Sequence, residues 1–153
     1  MLYQANCTSA KILNVRNPWN PLFVSKFDTL NYWVIYGVAV SGRYLYLADC
    51  GTGILTWDIS NPFFPESLGV YPDRRSLFFN IDVSGNYVFV PGLVFSGSTY
   101  GLGIIDVSNP SIPVLIDSIN TPSTGDMFYI SDNFLFLPWG QFSFPPLVGQ
   151  LLS

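Results

Sequence analysis

Short runs of β-branched and aromatic residues follow one another along the chain, with turn residues between them. One set of four is Tyr36 to Ser41, Arg43 to Asp49, Gly53 to Ser60 and Glu66 to Tyr71. Length, composition and punctuation of this kind predict β-strands. No stretch has apolar residues recurring at helical spacing. The runs are apolar on both faces instead of cleanly alternating, which is the pattern of strands covered on both sides.

The strand pattern repeats. Asn17-Pro18-Trp19-Asn20-Pro21 returns as Asn61-Pro62-Phe63-Phe64-Pro65 and again as Asn109-Pro110-Ser111-Ile112-Pro113, at spacings of 44 and 48 residues. Extra residues between Gly92 and Tyr100 account for the longer spacing. Gly53 to Ser60 aligns with Gly101 to Ser108, and Ala10 to Arg16 is a more diverged copy. Val38 to Leu47 aligns with Ile81 to Val90 and with Phe128 to Leu137. Ser41-Gly42 and Ser84-Gly85 predict the first hairpin of each unit, with glycine supplying a positive φ. Each Asn-Pro pair predicts a turn between the third and fourth strands, because Asn can bond its own backbone and Pro presets φ. A four-stranded unit with a period of about 40 to 50 residues is the signature of a propeller blade.

These residues resemble the LVIVD-repeat family. The resemblance rests on Gly101 to Pro110, on Val83 to Val90 and on Tyr46-Leu47-Ala48-Asp49, and it covers most of residues 2 to 140. It implies a β-propeller, often on bacterial or archaeal surface proteins, with no catalytic residues to carry over. Pro91-Gly92 and Pro138-Trp139 stand where the second unit has Ala48-Asp49. The expected fold is therefore all-β: a partial β-propeller of about three four-stranded antiparallel blades. Residues 1–27 form a partial blade, 36–71 and 78–119 blades, 126–139 a partial blade, and 140–153 a Pro-rich apolar tail. Propellers close with four to eight blades. The chain is accordingly expected to be part of a longer protein, with closure by self-association as the alternative.

Composition narrows the chemistry. The chain has 153 residues, 49% of them apolar, 17% aromatic and only 10% charged, which excludes a disordered segment. Ten acidic and six basic residues give a net charge of −4, so nucleic acid is not an expected partner. Histidine is absent, which removes the commonest general base and metal ligand. Neither a signal peptide at the N-terminus nor a transmembrane segment is expected. Pro138, Pro145 and Pro146 interrupt the uncharged stretch from Asn133 to Ser153.

Few residues stand out as chemically capable. Cys7 and Cys50 occupy equivalent places in adjacent units, where stacked sheets about 10 Å apart are too distant for a disulfide, so free buried thiols are expected. Asp58 and Asp106, with Asn14 aligned to them, recur once per unit and read as turn-stabilising groups. The candidate ligand-binding set is Asp73, Arg74, Arg75, Asn80, Asp82 and Asp126, on or before the innermost strands, with Tyr32 and Trp33 in a connection between blades. An anionic ligand on the arginines and a solvated charge cluster both fit the first group. Stacking on a sugar or protein partner and seam packing both fit the aromatics, Tyr71 included. No nucleophile–base pair, phosphate loop or cofactor motif is present, so no cofactor is expected.

The expected function is a non-catalytic module for protein or glycan binding, its partners being an unknown protein or glycan and further blades. The alternative is part of a propeller hydrolase or lyase whose catalytic residues lie elsewhere. A cell-surface location follows from the resemblance alone.

Overall fold

The computed structural model describes residues 1–6, 8–29, 34–73, 77–78, 80–93, 100–121, 128–131, 134–136 and 149–150. The strands are β1 (Leu2–Asn6), β2 (Ser9–Asn14), β3 (Leu22–Asp28), β4 (Ile35–Ser41), β5 (Tyr44–Asp49), β6 (Gly53–Asp58), β7 (Glu66–Pro72), β8 (Leu77–Phe78), β9 (Asp82–Ser84), β10 (Tyr87–Leu93), β11 (Tyr100–Asp106), β12 (Val114–Asn120), β13 (Tyr129–Ser131), β14 (Phe134–Phe136) and β15 (Gly149–Gln150). They form successive antiparallel sheets: β1-β2-β3, then β4-β5-β6-β7, then β8 and β9 end to end along one edge of β10 followed by β11 and β12, then β13-β14-β15. The described strands close no barrel. The Pro-rich segment after residue 140 contributes β15, which pairs with β14.

Local sequence sets the turns. Ser41 pairs with Tyr44 across Gly42, and Ser84 with Tyr87 across Gly85. Both glycines have positive φ, 58° and 57°, as the Ser-Gly pairs predicted. Each Asn-Pro turn closes in the same way. The N–H groups of Asn20, Phe64 and Ile112 donate to the carbonyls of Asn17, Asn61 and Asn109 at 3.0 to 3.1 Å. The Asn side-chain oxygens accept from the N–H groups of Trp19, Phe63 and Ser111. The register along the last strand pair of the first three sheets slips at one equivalent place, Ile12/Leu13, Thr56/Trp57 and Ile104/Ile105, and the second sheet has a further slip at Ile35/Gly37. A bulge at the equivalent place bends the outer strand and increases its twist.

The second sheet shows why its strands look apolar throughout. Leu45 and Leu47 of β5, with Leu55 of β6, pack on Ala10, Ile12 and Phe27 of the first sheet. The intervening Tyr46 and Ala48, with Ile54, pack on Phe78, Val88, Val90 and Ile105 of the third. Phe89, Leu102 and Ile104 then face Phe128 and Ile130 beyond. Period-two alternation is intact; both faces are interior. Full burial of each Leu or Ile is worth about 1.5–3 kcal/mol, so these seams hold the sheets together.

Hydrogen bonds cross the seams as well. Ser25 Oγ of β3 donates to the Pro62 carbonyl at 2.6 Å. Thr56 Oγ1 of β6 donates to the Pro110 carbonyl. The second and third Asn-Pro turns are thus each held against the preceding sheet. Gly69 of β7 lies so near the third turn that a Cβ there would stand 2.5 Å from the Ser111 carbonyl oxygen.

Successive sheets approach most closely along one edge, where β1 lies beside β4, β4 beside β9, and β9 beside β13. At Gly37 of β4 the approach is close enough that a Cβ would sit 3.0 Å from the Ile81 nitrogen. The first sheet differs on its other face. Gln4 and Lys11 stand where the second sheet has Leu47 and Leu55, and Lys26 pairs with Asp28 at 2.8 Å.

Candidate functional site

The end of the sheets that carries the Asn-Pro turns is organised by acidic caps. Asp58 Oδ1 accepts from the Ser60 N–H, and Asp106 Oδ1 from the Ser108 N–H, each at 2.8 Å. Asn14 Oδ1 accepts from the Arg16 N–H at 3.0 Å in the same position of the first unit. These three groups close the end of the third strand, as their recurrence suggested. The Asp58 carboxylate also pairs with the Arg43 guanidinium, whose carbon lies 5.6 Å from the Tyr44 ring centroid. The Arg43 hydrogen bond, then the Ser60 N–H, hold the Asp58 carboxyl well below the usual Asp range. Ser108 lowers Asp106 by the same backbone contact. Charges held this firmly ionised are poor proton shuttles near neutrality.

The opposite end carries the hairpin from Asp49 to Gly53. Asp49 is fully buried. Its Oδ1 accepts from the Thr52 N–H at 3.2 Å, while Oδ2 has no hydrogen-bond partner among the described residues. Gly53 has φ 115° and touches the Tyr71 carbonyl so closely that no side chain fits. Cys50 is a buried free thiol; burial, then the Asp49 charge, push its pKa up, away from the nucleophilic thiolate. Cys7 lies outside the described residues.

The candidate ligand-binding residues divide between two places. Asp73 directly follows β7, where its N–H donates to the Thr52 carbonyl at 3.1 Å, and it is buried. Asn80 and Asp82 lie on the inner edge of the third sheet, half-buried, with Asn80 against Gly37 of β4. Their side-chain oxygens accept from the N–H groups of Ile81 and Val83 at 2.8 Å. Asn80 and Asp82 thus share one edge, while Asp73 belongs to the hairpin end of its neighbour. Arg74, Arg75, Asp126, Tyr32 and Trp33 lie outside the described residues. Among the described residues no three of Cys, Asp and Glu gather into a metal-binding group.

Sequence reading missed two features. The Arg43–Asp58 pair was legible only as an arginine two residues after a turn serine. The buried Asp49 oxygen left no trace, because Asn6 and Gly92 fill the equivalent places.

The description of the LVIVD repeat matches residues 36–72 and 79–121, together just over half of the chain. The chain belongs to the LVIVD-repeat family. The two LVIVD matches fall on the second and third sheets, running from β4 and from just before β9 through the Asn-Pro turn to the ends of β7 and β12. No curated protein matches the chain. Among the described residues no helix is long and apolar enough to cross a membrane.

Proposed function

We propose that these LVIVD units are blades of a β-propeller that serves as a non-catalytic scaffold for a protein or carbohydrate partner. The observation that carries this reading is the fan of the sheets. They approach along β1, β4, β9 and β13, and each sheet runs outward from that edge. Sheets that meet along one edge are what blades set about an axis would give. In this reading the loops flanking the inner strands are the contact face, and Asn80 and Asp82 present hydrogen-bonding groups beside the axis. The lack of histidine and the engagement of Asp58 and Asp106 as turn caps favour binding over turnover.

A glycan array and calorimetric titration of its hits would test the contact face. The expected outcome is binding that drops at least about tenfold, or 1.4 kcal/mol, in Asn80→Ala and Asp82→Ala chains of unchanged circular dichroism. Binding untouched by both substitutions would move the contact face elsewhere. Hydrolysis of a glycoside or ester panel above the buffer rate would refute the non-catalytic reading.

A further inference from the structure

The three Asn-Pro turns carry large apolar side chains into solvent. Trp19 is 93% exposed, Phe64 74%, Ile112 66% and Phe63 63%. No packing requirement explains them, since the seams are filled by other residues. The five residues of each turn include no charge in any of the three copies. The tips are also rigid. Every turn has the same Asn side-chain bond and the same backbone bond, so the apolar residues occupy fixed third and fourth positions.

The turns lie at one end of successive sheets, because the second and third are each bonded to the sheet before. Stacked sheets are about 10 Å apart, so the tips form a row with steps of at least about that size. Separate convex tips cannot enclose a small molecule. They suit a flat, soft surface that each tip can enter. We propose that this row is a membrane-contact edge, which seats Trp19, Phe63, Phe64 and Ile112 in the headgroup layer of a zwitterionic bilayer. This goes beyond the partner-binding face, which lies at the inner loops.

Charge and chemistry favour a lipid occupant. Trp prefers the membrane–water interface, where its ring meets apolar matter and its N–H stays hydrated. Asn17, Asn61 and Asn109 at the turn bases are polar groups suited to headgroup depth. Arg16 precedes the first turn, exposed, where a lipid phosphate would lie, and Glu66 follows the second, exposed, where it would meet a choline headgroup. The net charge of −4 opposes anionic membranes, so the attraction is apolar and interfacial.

The test is co-sedimentation of the full chain with phosphatidylcholine vesicles, corrected for sedimentation without lipid. The chain should bind, and brominated acyl chains should quench its tryptophan emission. Trp19→Ser/Phe64→Ser should lower partitioning roughly tenfold or more, as expected for losing two apolar side chains at the interface. Its circular dichroism should not change, because both residues are exposed. Trp19→Phe should keep binding and lose most of the quenching. The proposal fails if the wild type stays in the supernatant or if the double variant sediments equally. It also fails if binding appears only with phosphatidylglycerol. Tips that bind no vesicle but change the gel-filtration mass when substituted would belong to a protein interface, and the lipid assignment would fall.

Discussion

Asp58 and Asp106 occupy the same place in two units and differ in one partner. Both cap a turn through a serine N–H; among the described residues only Asp58 also holds an arginine. Both carboxyls titrate below the unfolded value of about 3.9. The unfolded chain therefore takes up protons first as the medium is acidified. The stability these groups lend is complete above about pH 5 and is lost as pH falls through 4 toward their folded values. Urea midpoints of the wild type should drop over that window, and those of Asp58→Asn should drop less. Parallel curves for the two chains would show that the pair does not drive the acid response. Cys50 gives a second check. In a Cys7→Ser chain, iodoacetamide should label Cys50 only as fast as the protein opens, and urea should speed the labelling. Rapid labelling of the native chain would contradict its burial.

Elements are joined by devices that recur with the unit. Ser25→Ala and Thr56→Val each remove a bond between a strand and the next Asn-Pro turn, and each should cost about 1 kcal/mol in denaturant unfolding. The two lie in different seams, so their effects should add to within about 0.5 kcal/mol. Gly69→Ala should cost about 1–3 kcal/mol, because its Cβ must displace the Ser111 carbonyl. A neutral Gly69→Ala would mean the third turn is not held there. The repeat itself was legible, since Ser-Gly hairpins and Asn-Pro turns write their backbone geometry into adjacent residues. The seams were not. Ser25 and Pro62 are 37 positions apart, and a glycine inside a strand reads as a weak point until its neighbour is seen. The candidate ligand-binding set was legible only as positions: Asn80 and Asp82 share an edge, but nothing in the sequence separates them from Asp73.

At the scale of the molecule, each sheet depends on its neighbours and little else. Ile54→Ala opens a cavity between the second and third sheets and should cost about 2–5 kcal/mol. Hydrogen exchange should rise most at Tyr46, Val88 and Ile105 and least at Ile12 and Phe27, which pack in the other seam. Uniform loss of protection would indicate a single cooperative block. The alternation of Leu45 and Leu47 with Tyr46 and Ala48 has a further consequence. The forward face of one unit meets the rear face of the next at the same strand positions, with Leu45 and Leu47 in one seam where Val88 and Val90 stand in the other. Copying a unit in the gene inserts a piece whose two faces already have the layout its new neighbours use. An array built this way lengthens or shortens by whole steps without inventing a new contact, and each copy is then free to alter its loops alone.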